Sequence, residues 1–173
     1  MGCDKALLPH NEGGSWLERS LHLLGLLETP ITLLSRHQQH LALAQHLAQE
    51  LPITALAEPA PWEGPLLALH RLMQQHPNER LLLCPVDMPK LNLAALQTLV
   101  AKPNHSIIQL AHDGERLQPL LGLYPSAPAI RSQLTAAIGE GERRLQRWLA
   151  TQCYEVVPLD PQTICNVNQP YAP

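Results

Sequence analysis

Three short stretches hold the residue types that could do chemistry: DKALL at the start of the chain, CPVDMP at 84–89 and NVN at 166–168. In CPVDMP, Asp87 follows an apolar run and is bracketed by Pro85 and Pro89, which restrict the backbone on both sides. A carboxylate mounted this way suits a divalent cation held beside phosphates; the same side chain could equally cap the helix or turn that follows. Lys5, next to Asp4, either neutralises phosphate charge or belongs to a solvated tail. Glu58 precedes the proline-bounded stretch EPAPWEGP and offers a second carboxylate, direct or through water, or a merely solvated one. Asn166 and Asn168 place two amides at alternate positions, suited to a ligand or metal shell or to a polar turn.

Two further clusters carry less. GEGERRLQRW can present Arg143 and Arg144 to an anion near a helix start, or can be a surface helix with ordinary charges. Among nine histidines, His37 and His40 stand at i, i+3, but no carboxylate or thiol lies near them in sequence, which argues against zinc. Neither a G-x-S-x-G elbow nor a P-loop occurs.

The elements that must position these residues alternate. Apolar spacing predicts a helix from Ser15, its N-cap, ending before Thr29 and Pro30; a strand at 31–35; a helix at 36–51; and a strand at 53–58. GPLLALHRLMQQH reads as a helix with Pro65 in its first turn, and Leu81 to Cys84 as the strongest strand, leaving Asp87 just past its C-terminal end. A short helix at LAALQTLVA, strands HSIIQLA and QPLLGLY around the turn HDGE, helices at APAIRSQLTAAI and GERRLQRWLA, and a last strand YEVVPL complete the chain. Repeated βα units imply an α/β domain with a mostly parallel sheet and a ligand crevice at the C-terminal strand ends, where Asp87 and Glu58 fall.

Composition narrows the partners. A chain of 173 residues fits a single domain spanning 1–173. A formal charge of -3 with 16% charged residues gives no basic stripe for nucleic acid and no polybasic membrane patch. Cys3, Cys84, Cys153 and Cys165 are far apart, which suits reduced thiols, and with no membrane span or secretory signal in the sequence the expected location is the cytoplasm.

Taken together, MGCDKALL, GPLLAL, LLLCPVDMP, QPLLGLY, GEGERR and NVNQP occur in the order and approximate spacing of the molybdenum cofactor guanylyltransferases, MobA-like NTP transferases with a Rossmann-like three-layer αβα fold, and the chain resembles that family over essentially its whole length. The resemblance implies a nucleotidyltransferase of molybdenum cofactor biosynthesis: GTP binds, GMP passes to molybdopterin or molybdenum cofactor, pyrophosphate leaves, and Mg2+ assists. It implies that Asp87 holds the metal and that Lys5 contacts the nucleotide beside a turn containing Gly2. Asn166 and Asn168 would lie near the metal and the pterin pocket, and biosynthetic or acceptor proteins would be further partners.

The chain departs from the family in three places. Glu58 stands slightly displaced from the family's Asp ahead of GPL, and SRHQQ replaces a common Asn; both bear on the guanine contact. In the family, RMG-x-DKAL follows a first strand and a glycine-rich loop of the form LAGG-x-S-x-R, whereas this chain begins at the Met. The implied fold therefore lacks its first, central strand, leaving the edges of two neighbours unpaired or the gap closed by rearrangement. Codons before Met1 are expected to encode that strand and the Gly-Gly turn, with the longer protein active and the 173-residue chain weak or inactive. A cytidylyl or sugar-phosphate nucleotidyltransferase, and a non-catalytic remnant that binds pterin or a protein partner, are the alternatives.

Overall fold

The computed structural model describes residues 4–101 and 106–167. It divides into two compact units: Met1–Glu58 with Pro85–Gln97 and Asp160–Pro173, and Pro59–Cys84 with Thr98–Leu159.

The first unit opens with a single 3-10 turn, Lys5–Leu7, absent from the sequence reading. Helix α1 (Trp16–Gly25) begins at the expected Ser15: its Oγ accepts from the Glu18 N–H at 3.2 Å while Glu18 Oε2 accepts from the Ser15 N–H at 3.3 Å. This reciprocal capping satisfies two donors that a helix start otherwise leaves unpaired. Strand β1 (Ile31–Ser35), helix α2 (Gln38–Leu47) and strand β2 (Ile53–Ala57) follow, and β1 pairs with β2 in parallel, Ile31 opposite Ile53 through Ser35 opposite Ala57. Ala6, Leu17, Leu21, Ile31, Ala44 and Leu47 form the buried cluster, and Val86 from the CPVDMP stretch packs against it.

The second unit contains helix α3 (Pro65–Gln75), with Pro65 in the first turn as expected, and strand β3 (Arg80–Leu83). Between the units in sequence lies helix α4 (Leu93–Val100). Strands β4 (Ile108–His112) and β5 (Leu117–Pro125), helices α5 (Pro128–Gly139) and α6 (Leu145–Leu149), and strand β6 (Tyr154–Pro158) complete the second unit. Its sheet runs β3-β5-β4-β6: β4 and β6 are parallel, while β5 is antiparallel to both β3 and β4. Asp113 closes the β4–β5 turn, its Oδ1 accepting from the Glu115 and Arg116 N–H groups at 2.9 and 2.7 Å.

QPLLGLY owes its glycine to this sheet. Gly122 sits between β3 and β4, opposite Leu83 and Leu110, and a Cβ there would lie 2.6 Å from the Gln109 carbonyl oxygen. Only a residue without a side chain allows the two backbones to approach so closely.

Among the described residues the strands fall in two sheets, where the sequence reading anticipates one. Among the described residues β1 has β2 as its strand partner, and β3 has β5. No helix in the described residues is long and apolar enough to cross a membrane. Among the described residues Cys84, Cys153 and Cys165 form no disulfide.

Candidate functional site

The first unit gathers the N-terminal motif and the Asp87 loop. Asp4 Oδ1 accepts the Ala6 N–H at 3.1 Å and so caps the 3-10 turn, which carries Lys5 at its first position. The Lys5 ammonium stands 4.0 Å from Asp87 Oδ2, with about a third of each side chain exposed, 36% and 33%.

The loop carrying Asp87 is held through its own backbone. Carbonyl oxygens of alternate residues accept from three distant segments: Asp87 from the Val167 N–H at 2.9 Å, Pro89 from His10 Nε2 at 3.1 Å, and Leu91 from Arg19 Nη2 at 2.8 Å. His10 Nδ1 in turn accepts the Glu12 N–H at 3.1 Å, which fixes the ring as the Nε2–H tautomer, since a backbone N–H can only donate and a carbonyl only accept. Arg19 also pairs with Glu12 at 3.5 Å. Met88 and Leu91 are buried beneath this frame.

Helix capping falls to another residue. Asn92 Oδ1 accepts the Ala95 N–H at 3.0 Å, so Asn92 serves the start of α4 and the reading of Asp87 as that cap is set aside. The Asp87 carboxylate instead faces the Lys5 ammonium in a part-exposed position.

Glu58 follows β2, and its N–H donates to the Ser35 carbonyl at 2.9 Å, extending the β1–β2 ladder by one bond at its C-terminal edge. Asn166 is exposed and adjoins Val167, so the C-terminal motif reaches the Asp87 loop through its middle residue. Gly2 and Asn168 lie outside the described residues.

Two residues singled out in the sequence find distant partners. Arg143 is spent within the second unit: Nε pairs with Glu63, and Nη1 donates to the Ile138 and Glu142 carbonyls, both at 2.9 Å. Its guanidinium therefore braces the loop ahead of α3. Glu142 accepts the Arg144 and Arg143 N–H groups, and these bonds hold its carboxyl below the usual carboxylate range. His40 does have a carboxylate companion: its Nε2 lies 2.8 Å from Asp4 Oδ2. Sequence reasoning missed His10, Arg19 and His40 alike, because each reaches across tens of residues to a partner that no local pattern marks.

A family model described as a MobA-like NTP transferase domain matches residues 1–156. A protein of Rhodopirellula baltica named probable molybdenum cofactor guanylyltransferase is 33% identical, covering 98% of this chain and 82% of its own. One of the same name from Synechococcus elongatus is 31% identical, covering 98% and 88%. Among solved structures, the molybdopterin-guanine dinucleotide biosynthesis protein A of Archaeoglobus fulgidus superposes with a TM-score of 0.66 at 16% identity, covering 98% of this chain and 86% of that one. The shared feature at that identity is the α/β fold.

Proposed function

Because the chain belongs to the MobA-like NTP transferase domain family, we propose that it is a molybdenum cofactor guanylyltransferase, moving GMP from GTP to the terminal phosphate of molybdopterin or its molybdenum-loaded form. The names of the relatives matched over 98% of the chain support this, and the observation that carries it is the Lys5–Asp87 pair on a braced loop. We read the two compact units as parts of one family domain, on the strength of a family match that runs through both.

In the reaction, an oxygen of the acceptor phosphate forms a bond to the α-phosphorus of GTP. The bond from that phosphorus to the α,β-bridging oxygen breaks, and pyrophosphate leaves with the electron pair. Little covalent work falls to the protein; it aligns the two phosphates and offsets their charge. Lys5 supplies a positive charge at the head of a capped turn, and the three carbonyl bonds under Asp87 keep its carboxylate in place.

Magnesium suits this donor set. It is held through one or two carboxylates together with substrate phosphates and water, and Asp87 offers one part-exposed carboxylate that is not spent on capping. Among the described residues no group of three or more His, Cys, Asp or Glu could hold a metal alone, so phosphates would complete the shell. When bound, the ion would neutralise charge on the triphosphate. Asn166 is assigned to the neighbourhood of the metal and the pterin, and Glu58 to the nucleotide side at the end of β2, in the same unit as Asp87. Gly2 and Asn168 take the corresponding roles in the motifs that contain them.

The test is product formation. The protein, GTP labelled at the α-phosphate, magnesium and molybdopterin are incubated and the pterin fraction is separated. Label in a guanine dinucleotide with one pyrophosphate released per transfer supports the reading; label transfer from CTP instead would move the protein to the cytidylyltransferase relatives.

A further inference from the structure

Asp4 stands beside Lys5 in sequence and is the nearest carboxylate along the chain that could capture its ammonium, yet the Lys5 ammonium lies at Asp87. The structure supplies a reason. Each Asp4 oxygen already accepts a hydrogen bond: Oδ1 from the Ala6 N–H at 3.1 Å, Oδ2 from His40 Nε2 at 2.8 Å. His40 is 8% exposed and is itself held from behind, with Nδ1 at 3.0 Å from Ser35 Oγ. Ser35, 7% exposed at the last position of β1, accepts the His37 N–H on that oxygen at 3.1 Å.

The directions of these bonds agree from end to end. A backbone N–H only donates, so Ser35 Oγ accepts from His37, and the Asp4 carboxylate only accepts. That leaves the hydrogen on Nε2, and the carboxylate accepts it. The arrangement resembles a Ser-His-Asp triad in composition, but the serine is buried, is tied to a backbone donor and meets the ring at Nδ1. It has no room to attack a substrate. Its product is a fixed Asp4.

We propose that His40, backed by Ser35, is a positioning residue that occupies Asp4 and thereby reserves Lys5 for Asp87, and for a nucleotide phosphate when one is bound. The phosphate clause rests on the function proposed above; the Lys5–Asp87 clause does not. If His40 is removed, Asp4 regains an uncommitted oxygen one residue from Lys5, and the ammonium turns to it.

The chain has three lysines, Lys5, Lys90 and Lys102, so the NMR signals of their ε-methylene groups can be followed singly, with Lys5→Arg identifying the first. In the parent background, Asp87→Asn is expected to shift the Lys5 signal and Asp4→Asn to leave it nearly unmoved. In a His40→Ala background the order reverses: the Asp87→Asn shift is lost and an Asp4→Asn shift takes its place. His40→Gln, whose side-chain amide can donate to Asp4, restores the parent order, which a purely space-filling role would not produce. Should His40→Ala fail to fold, His40→Phe keeps the ring volume, lacks the donor and carries the same comparison. An Asp87→Asn shift of equal size in the parent and the donor-less background overturns the proposal. None of these readings requires turnover, so a failure of the guanylyltransferase assignment would leave them interpretable.

Discussion

The backbone N–H of Val167 donates to the carbonyl oxygen of Asp87 at 2.9 Å, joining the C-terminal motif to the loop that holds the site's carboxylate. That bond uses only main-chain atoms. Substituting the Asp87 side chain therefore leaves it in place, along with the bonds at Pro89 and Leu91.

For this reason Asp87→Asn is expected to separate function from stability. Asn92, not Asp87, caps α4, and the Lys5–Asp87 pair is part-exposed, so the change in unfolding free energy should stay within about 0.5 kcal/mol. Magnesium-dependent transfer should be lost. Urea unfolding and label transfer on the same preparation check both halves; equal magnesium-dependent rates for mutant and parent would remove Asp87 from the site.

His10→Ala should act on the loop. It removes the bond to the Pro89 carbonyl in a largely buried setting, which costs roughly 0.5 to 1.5 kcal/mol for a typical hydrogen bond. His10→Gln, able to donate from its amide, should recover part of the loss. Backbone amide exchange at Met88, Lys90 and Leu91 provides the measurement, with faster exchange expected in the Ala variant.

The sequence made the elements legible and left the site's frame hidden. Ser15 as a cap, Pro65 in a first turn and the hairpin around HDGE were readable because their signals are local: a hydroxyl ahead of a periodic run, a residue without an N–H, a Gly between two strands. Asp87 stood out for the same reason, as a lone acid between prolines after an apolar run. His10, Arg19 and His40 carry no such mark. Two of them donate to backbone carbonyls, which have no sequence identity, over separations of 79 and 72 residues. His40 finds Asp4 only after β1 and α2 have brought the two together, 36 residues apart. Arg143 is similar: its basic motif left an anion or ordinary surface pairing open, and the partner it finds, Glu63, is 80 residues away.

Gly122→Ala tests the sheet that carries QPLLGLY. A methyl group at 2.6 Å from the Gln109 carbonyl oxygen meets backbone, which cannot swing aside, so strands β4 and β5 must separate. Overpacking of this kind costs about 1 to 3 kcal/mol. A thermal midpoint unchanged from the parent would contradict the close approach.

Asp113 makes the hairpin turn sensitive to acid. Backbone bonds from Arg116 and Glu115 hold its carboxyl below its ordinary value of 3.8. A depressed folded-state value means that the ionised form stabilises the fold above 3.8 and that this contribution disappears as the pH falls through the folded-state value. Asp113→Asn, a neutral mimic, should accordingly be less stable than the parent at neutral pH, with the gap closing in acid. Thermal midpoints across that range provide the check.

If Lys5 and Asp87 form a magnesium-assisted site for guanine nucleotide, the ion's effect on nucleotide binding passes through the Asp87 carboxylate. Calorimetric titration of GTP, with CTP, ATP and UTP as competitors, into the parent chain and into Asp87→Asn, each with and without magnesium, tests it most directly. GTP is expected to bind the parent more tightly than the other three, magnesium to strengthen this binding, and Asp87→Asn to abolish the magnesium effect. Tighter binding of CTP, or a magnesium effect of equal size in Asp87→Asn and the parent, would contradict it.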